Sequence, residues 1–147
     1  MNSSSKLISE TIGYRIARVC MAHHYCASRF MSDAGVYLGQ EMVLQHLWQE
    51  DKLTQSELAN RIGVQIQTIH KMIRRMEKAG LVTKHADEHD GRVSRIHLTP
   101  KGHGLQTVVE GAWNQLEQQT LADFTVEERY ILRRLLLKLE QNLDKSE

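Results

Sequence analysis

Apolar residues near the start of the chain recur at helical spacing. Ile8, Ile12, Ile16, Val19, Cys26 and Phe30 follow steps of three and four once His23 fills the gap between Val19 and Cys26. One long helix from Leu7 to Phe30 is therefore predicted, with an apolar stripe that needs a partner. Asp33-Ala34-Gly35 breaks the pattern, and Met42, Val43, Leu44, Leu47 and Trp48 mark a second helix from Gln40 to Trp48. Thr54-Gln55-Ser56-Glu57 has the form of a capping box, in which Thr54 accepts a first-turn amide and Glu57 reaches back. It opens a third helix with Leu58, Ala59 and Ile62 inward, which Gly63 ends in a left-handed turn. A fourth helix, Ile66 to Lys78, turns Ile69, Met72, Ile73 and Met76 to the core and leaves Gln67, Thr68, His70, Lys71, Arg74 and Arg75 outside.

Past Gly80 the period changes from helical to alternating. Leu81 to Lys84 and Val93 to Leu98 read as two strands, joined by the charged tip Asp87-Glu88-His89-Asp90-Gly91-Arg92. Thr99-Pro100 suits a helix cap followed by proline in the first turn, so a fifth helix starts there, weakened by Gly102, Gly104 and Gly111. Val108, Val109, Ala112, Leu116 and Leu121 carry it to a break near Asp123-Phe124. A second capping box, Thr125 to Glu128, opens a last helix striped by Leu132, Leu135, Leu136, Leu139 and Leu143. The end helices either bury each other within one chain or form an intersubunit bundle; so much apolar surface beside a small middle lobe favours the bundle.

With 147 residues, 41% hydrophobic and 25% charged, the composition fits one ordinary domain with helical extensions. No apolar run reaches the roughly 20 residues of a membrane span, and MNSSSK lacks the apolar core of a secretory signal. No membrane partner and a cytoplasmic setting are expected. Cys20 and Cys26, six apart in one helical pattern, are poorly placed to bridge each other. The net charge of +1 argues against a nucleic-acid partner until it is divided along the chain. Residues 1–60 hold five Lys and Arg against six Asp and Glu, residues 102–147 five against eight, and residues 61–101 nine against four. The middle segment alone is cationic, at +5.

Helix, glycine turn and helix is the helix-turn-helix pattern, whose second helix enters the major groove of DNA. The basic outer face of that helix, the adjoining hairpin and the arginine at its tip extend the pattern to a winged helix. The fold class is thus mainly α with a small β-hairpin wing: an N-terminal dimerisation helix (1–33), a winged helix-turn-helix lobe (34–101) and C-terminal dimerisation helices (102–147).

Ser-Glu-Leu-Ala before Gly-Val, Thr68 to Met76 followed by Glu77-Lys78-Ala79-Gly80-Leu81-Val82, Asp90-Gly91-Arg92, and Leu98-Thr99-Pro100-Lys101-Gly102 resemble MarR-type transcriptional regulators. The resemblance implies a homodimeric regulator, a repressor in this reading, that grips a pseudo-palindromic operator in double-stranded DNA. It places Gln65, Gln67, Thr68, His70 and Lys71 at base edges and Arg74 and Arg75 at phosphates. Arg92 is matched to a wing arginine in the minor groove, oriented by Asp90, with Lys84 and Arg95 behind it; Thr54 completes the DNA-facing set. A solvated charged surface is the competing reading for the helix face. Gln65-Ile66 departs from the family's serine and proline at the start of this helix. Peroxide-sensing relatives carry a cysteine where Gly13 stands, and zinc-sensing ones a histidine where Met42 stands, so neither chemistry transfers. A small aromatic or anionic effector is left by elimination, near Tyr37, His46, Trp48 and Trp113. No catalytic group, metal site or cofactor is expected. The alternatives are a winged-helix module that binds protein, or a redox- or metal-responsive regulator.

Overall fold

The computed structural model describes residues 7–144; the MNSSSK stretch read above for a signal lies outside them. A 3-10 turn, Ile8–Glu10, precedes α1, Ile12–Asp33. The expected first helix therefore starts later than Leu7, because Thr11 is extended (φ −84, ψ 154) and its side chain accepts from the Tyr14 amide at 3.1 Å. Then follow α2 (Gln40–Gln49), β1 (Leu53–Thr54), α3 (Gln55–Ile62), α4 (Ile66–Lys78), β2 (Val82–Ala86) and β3 (Ser94–Leu98). The chain continues through α5 (Pro100–Gly104), α6 (Gln106–Thr120) and α7 (Val126–Asp144).

Two elements differ from the sequence reading. The sheet has three antiparallel strands in the order β1-β3-β2, because Leu53 pairs with Ile96 and Thr54 with Arg95. A strand of two residues offers no alternation to read. The expected fifth helix is divided at Leu105 into α5 and α6. Pro100 and the Thr99 cap, which accepts from the Gly102 amide at 3.0 Å, start a short turn docked against the base of the wing. From Leu105 onward α6 instead packs along α1.

The core lies between α2, α3, α4 and the sheet. Ile69, Ile73 and Met76, the inward stripe of α4, are fully buried with Leu44, Leu47, Leu58, Val82 and Ile96. Each such side chain contributes about 1.5–3 kcal/mol by leaving water. Val109 and Ala112 of α6 and Met31 of α1 extend this core to the end helices. The leucine stripe of α7 stays uncovered: the helix has no buried residue, and Leu136 is 53% exposed. Ile12 and Val19 on α1 are 75% and 62% exposed, so the end helices do not bury each other within one chain.

Candidate nucleic-acid interface

The interface begins with the corner between α3 and α4. Both bonds of the capping box form: the Glu57 amide donates to Thr54 Oγ1 (3.1 Å) and the Thr54 amide to Glu57 Oε2 (2.7 Å). The Thr54 amide holds the Glu57 carboxyl below its ordinary range, aided by the Thr54 hydroxyl, Arg95 and Arg61. Thr54 is thus engaged as strand end and helix cap. Gly63 ends α3 at φ 79, ψ 37, a left-handed conformation that suits glycine, and its amide bonds Ala59 O at 2.9 Å. Gln65 caps α4 with an extended backbone, but its side chain makes no cap bond.

With three apolar positions of α4 pinned in the core, its other face is fixed by geometry. Gln65, Gln67, Thr68, His70, Lys71, Arg74 and Arg75 are all exposed. From Gln67 to Arg75 they line one open groove of about 600 Å³ together with Tyr37 and Gln40. Polar amides and hydroxyls occupy the first turns, and the cations follow. The structure therefore gathers the helix residues singled out above into one surface.

The far end of α4 is clamped. Lys101 Nζ donates to Ala79 O (2.8 Å), and the Thr99 hydroxyl lies 2.6 Å from Gly80 O. Trp48 Nε1 donates to Gly102 O at 3.0 Å, tying α2 to the same point. A β carbon on Gly102 would meet Leu81 O at 2.2 Å, so only glycine lets α5 come this close.

The wing is β2 and β3, registered from Val82 opposite Leu98 to Ala86 opposite Ser94. Two aspartates shape its tip. Asp87 Oδ2 accepts the amides of His89 (3.1 Å) and Asp90 (3.0 Å), and Asp90 Oδ1 accepts the amide (3.1 Å) and Nε (3.2 Å) of Arg92. The Arg92 side chain is 92% exposed, so Asp90 sets its direction and leaves its far end in solvent. Arg95 points inward. It pairs with Asp87, lies 3.9 Å from Glu57 and donates to Lys52 O at 3.0 Å, fastening the wing to the α3 corner. Its hydrogen bond holds the Asp87 carboxyl below the usual range, with the His89 and Asp90 amides acting the same way. Lys84 is 3.8 Å from Glu77 on α4.

Sequence reasoning did not single out Asp87, Asp51, Lys101 or Gly102 as ties. Asp51 Oδ1 accepts the Leu98 amide at 3.0 Å and so closes the sheet beside β1. The spacing of Asp87 and Asp90 before a glycine was a legible turn signal. Nothing local marks Asp51 or Gly102, whose partners are 47 and 54 residues away in sequence.

The four residues proposed for an effector are not together. Trp48 and Trp113 line one cavity of about 280 Å³ between α2 and α6, with Glu41 and Glu110. Tyr37, 77% exposed, lies in the groove along α4, and His46 is absent from both linings; its Nδ1 is buried without a hydrogen-bond partner. Tyr37 precedes α2 and lies beside α4, and His46, two residues before Trp48 on α2, faces away from it.

A cationic helix seated on a glycine corner, with an arginine-tipped hairpin fastened beside it, defines a winged helix-turn-helix DNA-binding lobe. The chain is similar to the MarR family: the family model of that description matches residues 36–94, the span of that lobe. It is 29% identical over 128 residues to HTH-type transcriptional repressor Rv2887 of Mycobacterium tuberculosis, covering 87% of this chain and 92% of that one. Among solved structures, BpsR of Bordetella bronchiseptica has a TM-score of 0.85 at 22% identity, covering 92% of this chain and 96% of that one. A mutant MarR from E. coli complexed with operator DNA has a TM-score of 0.82 at 23% identity, covering 92% and 99%. At these identities the two structures establish the fold.

Proposed function

We propose that the chain is a homodimeric transcriptional repressor that reads a pseudo-palindromic operator with α4 in the major groove and Arg92 in the minor groove. The carrying observation is the exposed row from Gln67 to Arg75, amides leading and cations following, on a helix whose opposite face is locked in the core. The uncovered stripes of α1 and α7 support a second copy as their partner, which would set two half-sites about one helical turn, roughly 34 Å, apart. Release by a small molecule fits the cavity beside Trp48. BpsR is described as a protein whose DNA binding is regulated by 6-hydroxynicotinic acid.

The test is selection of bound duplexes from a random pool, followed by titration of the selected duplex over a range of salt. A pseudo-palindromic consensus and an affinity falling steeply with salt are expected, because each phosphate neutralised releases counterions. An affinity independent of salt, or no duplex bound at low salt, overturns the reading and favours a winged helix that binds protein.

A further inference from the structure

The cavity between α2 and α6 is bordered by acidic, amide and indole groups. Glu41 is 6% exposed, Glu110 stands across from it, and Trp48 and Trp113 supply aromatic walls with the amides of Gln45 and Asn114 between. No lysine, arginine or histidine is among the described residues that line it. From this lining, we infer that the cavity receives a small aromatic cation, and that Trp48 transmits its occupancy to the DNA-reading elements. The inference rests on the effector-controlled repressor proposed above and assigns the charge of the ligand.

An aromatic carboxylate entering here meets two carboxylates and no cation. A ring bearing a positive charge meets two indole rings, whose π-systems attract cations, and two acidic partners. One Glu41 oxygen accepts the Gly39 amide at 2.6 Å, which anchors the side chain at the start of α2. Burial holds the Glu41 carboxyl above its ordinary range despite that bond, and a cation brought beside it favours the charged form and offsets that effect. Glu110 is held from the other wall, where its Oε1 accepts from Gln106 Nε2 at 2.9 Å.

Transmission follows from the bonds on the far side of Trp48. Its indole N–H is committed to Gly102 O, while Thr99 and Lys101 hold the carbonyls of Gly80 and Ala79 at the end of α4. Gly102 has no free space toward Leu81, at the entry to the wing. A ring that tilts the Trp48 indole therefore pulls on the point where α4, α5 and the wing meet.

The chain holds two tryptophans, and both line the cavity, so intrinsic fluorescence reports on it directly. Benzamidine, benzamide and benzoate have nearly one shape and carry positive, zero and negative charge. Titration of the full chain is expected to give a saturable change with benzamidine at an affinity at least about tenfold tighter than with benzamide, and weaker binding still with benzoate. Glu110→Gln should shrink the preference for benzamidine over benzamide by about threefold or more. Benzoate binding as tightly as benzamidine, no saturable change with any of the three, or an unaltered preference in Glu110→Gln overturns the ligand class. At saturating benzamidine the parent's affinity for its selected duplex should change at least about threefold. Trp48→Phe, with Trp113 as reporter, should lose that change even at saturation. A parent without the change, or a variant that keeps it, overturns transmission. Duplex affinity without any probe is measured alongside: its absence refutes the repressor, whereas a failed charge preference with duplex binding intact refutes only the cavity assignment.

Discussion

Gly102→Ala sets two opposing effects against each other in one short helix. On propensity alone the change is favourable, since alanine exceeds glycine by about 1 kcal/mol in a helix. The structure adds a clash with a fixed backbone: the new β carbon would lie 2.2 Å from Leu81 O and 3.0 Å from Leu98 Cδ2. Leu81 O cannot withdraw freely, because it accepts the Thr99 amide at 3.1 Å and has the Thr99 hydroxyl at 3.1 Å. Relief requires stretching those bonds, each worth about 0.5–1.5 kcal/mol, or moving α5 away from Trp48, with about 1–3 kcal/mol of overpacking strain in either case. The clash should win, leaving the variant about 1–3 kcal/mol less stable, a fall in Tm of roughly 2–4 °C per kcal/mol for a chain of this size. Gly104→Ala is the control: nothing lies within 4 Å of its added carbon, so propensity should raise stability by about 0.5–1 kcal/mol. Chemical denaturation at one fixed chain concentration measures both, since the proposed association would make apparent stability concentration-dependent. If Gly102→Ala is as stable as the parent, the close approach of α5 to the wing is wrong.

Arg92→Ala should weaken binding to the selected duplex by about 1–3 kcal/mol while changing folding stability by less than about 0.5 kcal/mol, because the side chain is almost wholly in solvent. Equal duplex affinity of variant and parent removes Arg92 from the interface. Arg95 is expected to act through pH. Its bond keeps the folded Asp87 value below the unfolded one of about 3.9, so the stabilisation is complete above that pH and is lost as pH falls through the folded value. The stability gap between parent and Arg95→Gln should therefore narrow on going from pH 5 to pH 2; a gap that stays constant contradicts the pairing. Gln65→Ser places a capping hydroxyl on a backbone already extended at φ −69, ψ 149, and should stabilise by about 0.5–1 kcal/mol and slow hydrogen exchange in the first turn of α4. Unchanged exchange there would show that the helix start is already satisfied by other means.

The helix-turn-helix was legible because its determinants are local. Thr54 and Glu57, Gly63, and the three-and-four spacing of Ile69, Ile73 and Met76 lie within one or two turns of the groups they govern, and all are found as read. The exposed row on α4 follows from the same stripe, since fixing one helix face fixes the other. What was not legible depends on distant partners. β1 exists only because Leu53 meets Ile96, and α5 separates from α6 because Gly102 meets Leu81. The effector quartet is divided between different surfaces for the same reason. Elimination left Tyr37 and His46 beside Trp48 and Trp113, whereas the cavity is made by α2 and α6, and its acidic character comes from Glu41 and Glu110, which carry no motif.

These ties give α4 an asymmetry that bears on the control proposed for it. Its start, at Gln65, lacks a side-chain cap, and its end is held by Lys101, Thr99 and, through Gly102, Trp48. In the proposed operator complex the first turns, whose amides would reach base edges, are the end left free to adjust to the duplex. The last turn cannot move without α5 and α2. On the proposed reading, base readout and control would sit at opposite ends of a helix of 13 residues, about 20 Å long at 1.5 Å per residue. If Trp48 transmits as proposed, shifting it would change the angle at which the whole helix meets DNA rather than any single contact. Control of this kind should weaken all duplexes alike and leave the order of sequence preference intact, whereas substitutions at Gln67 or Thr68 should reorder it.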